Sequence, residues 1–233
     1  MDYHWGIDRV KKRKYAGVDH EDATDQEDHS EQPSKKSTNL LASESDATTR
    51  VTARSNHIFF YAGVSKRSIY ELNDHIERLN KNFSDLQQKH PTIKMEPSPI
   101  YLHINSYGGS VFAAFAGVDM IQQSKIPIHT IVEGASASAG TILSVVGKKR
   151  YMRPHASMLI HQLSSWFGGK MTEIDDDYQN LEQMMKTIKD IYLKNTTMSS
   201  TQLDEFLKHD LWWTIDTCKE RGLVDETWTG HTL

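Results

Sequence analysis

The stretch Ile128-His-Thr-Ile-Val-Glu-Gly-Ala-Ser-Ala-Ser-Ala-Gly140 decides the fold. Its first five residues read as a short buried strand. Small residues then fill a turn through Gly140, and Thr141 to Val146 read as a helix with Gly147 as its stop. A strand that runs through a small-residue turn into a helix leaves backbone N–H groups free at the helix start. Ser138 stands at or near that start, and the next N–H, from Ala139, has no intrahelical partner.

The same grammar recurs on both sides. Upstream, Ile100-Tyr-Leu-His-Ile-Asn105 is a strand, Ser106-Tyr-Gly-Gly109 a turn, and Val111, Phe115, Val118 and Ile121 mark a helix. Before that, His57-Ile-Phe-Phe-Tyr-Ala-Gly63 reads as a buried strand. Ser65 to Gln88 reads as a helix with Ile69, Leu72, Ile76, Leu79, Phe83 and Leu86 on one face. Downstream, Arg150–Arg153 and Ser157–Ile160 are short strands. A long helix carries Ile174, Tyr178, Leu181, Met185, Ile188 and Tyr192, another begins after Thr197, and the last is expected over Trp212–Gly222. Strands alternate with helices throughout, so the class is α/β.

The composition changes near residue 56. Before it lie basic Lys11-Lys-Arg-Lys14, acidic His20–Asp28 and a Ser/Thr-rich stretch. Such a segment buries too little apolar surface to offset its ordering entropy. Residues 1–56 are therefore expected to be a disordered charged extension, serving as a propeptide, docking arm or targeting signal if it has a role. Residues 57–233 form the folded domain. A net charge of -4 does not suggest nucleic acid or an anionic membrane as partner. No apolar run reaches the roughly 18–20 residues needed to span a bilayer. A single cysteine, Cys218, allows no intrachain disulfide and reads as a packed helix residue. A soluble cytoplasmic protein is expected.

The two glycine and serine turns suggest acyl-transfer chemistry. Paired N–H groups from Gly109 and Ala139 would form an oxyanion hole, in which one donor is worth about 3 kcal/mol. A serine hydroxyl needs a base, and His161, at the end of the apolar run Met158-Leu-Ile-His161, is the best candidate. His103 and His129 lie inside apolar strands and read as structural. The base needs a carboxylate behind it. Asp175, Asp176, Asp177, Asp204, Asp210, Asp216 and Asp225 compete; Asp210 is attractive because Leu211-Trp-Trp213 would keep it dry.

From His57 to Trp228 the sequence resembles the proteolytic subunit of the Clp protease. The resemblance rests on Ile104–Gly109, on Gly134–Gly140, on Met158–Gln162 and on Gly222-Leu-Val-Asp225. The gaps from Gly109 to Ser138 and from His161 to Asp210 equal those of the family. The resemblance selects Ser138 over Ser136 as nucleophile, and Asp210 over its rivals. It implies a crotonase-like, right-handed superhelix of ββα units with a protruding handle helix near residues 172–195. It also implies strand pieces near 109–112 and 163–167 that flank an extended peptide, with Val111, Phe112 and Ser164 at the substrate. It further implies stacked seven-membered rings fed by a hexameric Clp ATPase, and no cofactor or metal. Tyr107 replaces the family's usual proline, the loop at Lys148-Lys-Arg150 is shorter, and Lys208-His209 replaces an acidic–arginine pair used between rings. The long tail and these changes also suit a specialised processing peptidase of the phage head-maturation type. Two further alternatives are an acyl-CoA enzyme on the same fold and a ring subunit without activity.

Overall fold

The computed structural model describes residues 4–6, 50–165 and 168–230. Among the described residues the strands are β1 (His4–Gly6), β2 (Arg50–Arg54), β3 (His57–Tyr61), β4 (Ile100–Ser106), β5 (Gly108–Ser110), β6 (Ile128–Ala137), β7 (Lys149–Met152), β8 (Ser157–Leu159) and β9 (Glu226–Thr227). The helices among them are α1 (Lys66–Lys89), α2 (Val111–Gln123), α3 (Ala139–Val145), α4 (Met171–Asn195), α5 (Ser200–Phe206) and α6 (Ile215–Glu220).

The main sheet has the order β2-β3-β4-β6-β7-β9, and β8 pairs with β6. Only the β2–β3 pair in it is antiparallel. The alternation of side chains along a strand sorts the residues into two faces. Ile58, Phe60, Ile100, Leu102 and Ile104 are fully buried on the helix-covered face. Ile69, Leu72 and Ile76 of α1 complete that core, whereas Leu86, at the far end of the same helical stripe, is exposed. Truncating one of the fully buried side chains to alanine costs about 2–5 kcal/mol.

The opposite face carries a polar network among aromatic rings. His57 Nδ1 lies 2.9 Å from His103 Nε2, and His103 Nδ1 lies 3.0 Å from Glu133 Oε1. Arg153 Nε donates to Glu133 Oε1 at 2.9 Å, and the Tyr61 hydroxyl donates to the same carboxylate. Burial works against the Glu133 carboxylate, but its hydrogen bonds from His103, Tyr61 and Arg153 together prevail and hold it at about 2. His129 sits between the rings of Tyr101 and Tyr151. His103 and His129 thus pack as structural groups.

The packed sheet starts earlier than composition suggests. Arg50–Arg54 pairs with His57–Tyr61 across Ser55-Asn56, and Val51 is buried. Ser55 has φ 54°, as a two-residue hairpin turn needs. The expectation of a disordered tail falls mostly on residues outside those described. The last helix is shorter than expected. Trp213 is a bridge partner of Met158, with N–H···O bonds of 2.7 and 3.0 Å in the two directions, and α6 begins only after Thr214. Cys218 is fully buried in α6, and burial pushes its thiol up to about 12, partly countered by Arg221. It is a packing residue.

Candidate active site

Strand β6 builds the site because it is long enough to have two successive neighbours. His129–Val132 pairs with β7, and Ala135–Ala137 pairs with β8. The register Ala137↔Leu159 sets the residues that follow each strand side by side. Ser138 follows one and His161 lies two residues beyond the other. The Ser138 N–H donates to the Leu159 carbonyl at 2.9 Å, which pins the serine turn to the histidine strand.

Ser138 adopts φ 57°, ψ -128°, a conformation rare for any residue but glycine. Such a backbone costs about 1–3 kcal/mol and persists only where its surroundings over-determine it. Here the Ser138 carbonyl accepts from Thr141 N at 3.0 Å and from Thr141 Oγ1 at 2.6 Å. Thr141 Oγ1 in turn lies 2.5 Å from the hydroxyl of Tyr192, a fully buried residue of α4. Although Ser138 occupies the cap position of α3, its side chain makes no capping bond. Its Oγ is buried without a hydrogen-bond partner among the described residues.

The Gly108-Gly109 turn lies against this elbow. Gly108 has φ +96°, and a Cβ there would stand 2.6 Å from Ser138 Cβ and 3.0 Å from Ala139 N. Gly109 has φ +143°, and a Cβ there would run into the Val64 carbonyl at 2.2 Å. Both positions therefore require glycine. Gly108 N–H donates to Ser106 Oγ at 3.2 Å, and Ser110 N–H donates to the Val64 carbonyl at 2.8 Å. Val64 N–H donates to Gly108 O at 2.7 Å. With residues 108 and 110 both turned to Val64, strand alternation directs the Gly109 N–H to the other edge. Ala139 N–H is among the first-turn donors of α3, which no preceding turn of helix can satisfy.

His161 is buried, and its Nδ1 lies 3.5 Å from Asp210 Oδ1. Burial lowers its pKa from the ordinary histidine value, and Asp210 partly offsets that. Two backbone anchors hold the acid loop against the histidine strand. Gln162 N–H donates to the Leu207 carbonyl at 2.8 Å, and Trp213 bridges Met158. Asp210 lies between these anchors. The expected dry setting is not found: the Asp210 side chain is 73% exposed, and Leu211 and Trp212 are exposed beside it. The loop projects outward between its two anchors, and only Trp213 turns inward. The rival acids lie elsewhere; Asp225, for example, is bound by Arg150.

The expected substrate residues are placed differently from one another. Val111 is fully buried as the first residue of α2, Phe112 is 53% exposed, and Ser164 is exposed. The expected strand pieces contract accordingly. The upstream one is Gly108–Ser110, ended by the Ser110 cap of α2, and Leu163–Ser165 is irregular. Residues 166 and 167 of that second piece lie outside those described. Sequence reasoning missed Thr141 and Tyr192 as supports of the elbow. A tyrosine on the inner stripe of α4 was the available signal, but its partner depends on how that helix docks.

Three comparisons bear on this site. The family described as Clp protease matches residues 55–231. The ATP-dependent Clp protease proteolytic subunit 1 of Chlamydia abortus is 36% identical over 131 residues, covering 54% of this chain and 68% of that protein. Its Chlamydia pneumoniae counterpart is 32% identical over 137 residues, covering 57% and 72%. In fold, the chain is similar to a mutant of ClpP1 from Listeria monocytogenes, with a TM-score of 0.64 at 22% identity over 76% of this chain and 92% of the other.

Proposed function

This chain belongs to the Clp protease family, and from that premise we propose that it is a serine peptidase in which Ser138, His161 and Asp210 cut extended polypeptides. Membership sets aside the acyl-CoA alternative. The observation that carries the reading is the strained elbow. A buried serine in a rare backbone conformation is bonded through its own N–H to the strand that delivers a buried histidine. His161 takes the Ser138 hydroxyl proton as the oxygen attacks the scissile carbonyl, and Asp210 supports the imidazolium that results. Gly109 and Ala139 N–H groups receive the developing oxyanion. His161 then returns the proton to the leaving amine, and water repeats the cycle on the acyl-enzyme.

Main-chain pairing along Gly108–Ser110 is indifferent to side-chain sequence, which suits unfolded substrates. Phe112 and Ser164 border this edge as substrate contacts, while buried Val111 shapes it from below. The protein works as an oligomer with a Clp ATPase, in stacked heptameric rings in the cytoplasm. Among the described residues no helix is long and apolar enough to cross a membrane, and no side-chain cluster fits a metal. Hydrolysis of an unfolded casein, followed by mass spectrometry of the products, tests the reading. Short peptides of many sequences are expected from the natural chain, with a loss of at least ~10⁴-fold in the Ser138→Ala variant. Full activity in that variant would refute it, and a few defined cuts would favour a processing peptidase.

A further inference from the structure

The edge that substrate would use already has an occupant. Strand β1 pairs antiparallel with β5 in the register His4↔Ser110, Trp5↔Gly109 and Gly6↔Gly108. The opposite edge of β5 is engaged by Val64, through Val64 N–H to Gly108 O and Ser110 N–H to Val64 O. Gly109 therefore exchanges its main-chain bonds on the β1 side, opposite Trp5. A peptide cannot add to a strand edge that another strand holds. We propose that the segment around residues 4–6 is a built-in competitor that occupies the substrate edge of its own chain and restrains the peptidase until it is displaced.

This inference rests on the assignment of Gly108–Ser110 as the substrate edge. The occupant engages the residue whose N–H is the proposed oxyanion donor, so it blocks binding and transition-state stabilisation together. A tethered segment also acts at a higher effective concentration than a free one. Weak strand pairing is then enough, because inhibition depends on the product of affinity and local concentration. Residues 7–49 link the segment to β2. A partner that captures the charged extension would release the edge.

Trp5→Pro in this chain tests the proposal, since proline removes the N–H that faces Gly109 and cannot continue the ladder. Two measurements are made. Hydrogen exchange is followed in peptides covering residues 107–111, in a Ser138→Ala background so that nothing is cut. Protection is expected with Trp5 in place, and loss of it with Trp5→Pro. Hydrolysis of a short fluorogenic peptide is then compared with Ser138 intact. KM should fall about tenfold in the Trp5→Pro chain with kcat unchanged, the pattern of a removed competitor. Equal protection in the two chains would overturn the proposal, as would an unchanged KM. If neither chain hydrolyses peptide while exchange still differs, the peptidase reading fails and the occupancy stands.

Discussion

Gly108→Ala probes the contact between the two turns on which the site depends. The added Cβ would stand 2.6 Å from Ser138 Cβ, 2.9 Å from the Ala137 carbonyl oxygen and 3.0 Å from Ala139 N. Two of these are backbone atoms of the nucleophile turn, so no rotamer change relieves them. Ordinary carbon contacts lie near 3.5 Å, and the two turns must separate by about 1 Å to reach that. A displacement of 1 Å at a reacting centre costs on the order of 10²-fold in rate. The positive φ of +96° adds backbone strain of about 1–2 kcal/mol for any residue with a Cβ. The expectation is a folded protein whose melting temperature falls by roughly 2–8 °C and whose kcat falls at least ~10²-fold. Gly168→Ala is the control, because a Cβ there meets nothing within 4 Å; its effect should stay within about 0.5 kcal/mol. Rates are normalised to folded protein by circular dichroism and compared at saturating peptide. A folded Gly108→Ala protein with unchanged kcat would refute the claim that this contact sets the geometry of attack.

Other perturbations have equally definite outcomes. Asp210→Asn removes the influence that raises the His161 pKa, leaving burial unopposed; the acid limb of the pH–kcat/KM profile should move to lower pH while the plateau drops roughly 10²-fold or more. A limb that moved upward would contradict the pairing. Tyr192→Phe deletes the hydroxyl beside Thr141; we expect about 1–2 kcal/mol of destabilisation and slower probe labelling of Ser138, and Thr141→Ser should retain most of the labelling rate. Glu133 is held at about 2 against roughly 4.3 for an exposed glutamate. Its contribution of roughly 2–3 kcal/mol is therefore fully present above about pH 4.3 and is lost as pH falls toward 2. Glu133→Gln should lower chemical-denaturation stability at pH 7 and flatten its dependence on pH over that acid window.

Much of this site is legible in the chain because it is local. The apolar run of β6, the small residues after it and the serine before Ala139 together dictate a strand, a sharp elbow and a helix. The inner stripe of α1 through Ile69, Leu72 and Ile76 is equally plain. What escapes is set by partners distant in sequence. Arg50–Arg54 reads like the polar tail, since only Val51 in it is buried; its pairing with β3 makes it a strand. The Trp212-Trp213 pair looks helical by its apolarity, yet Trp213 is captured by Met158 and the cap at Thr214 delays the helix. The exposure of Asp210 depends on where Leu207 and Trp213 are tied, which no local pattern encodes. A short strand at residues 4–6 has no hydrophobic periodicity to announce it.

The most direct measurement is labelling with a fluorophosphonate, which reports a serine activated by a base. Tandem mass spectrometry of the labelled natural chain should find the adduct on Ser138 and on no other serine. Labelling should fall at least ~10³-fold in a folded His161→Ala chain. An adduct on a different serine, or undiminished labelling of Ser138 without His161, would contradict the account.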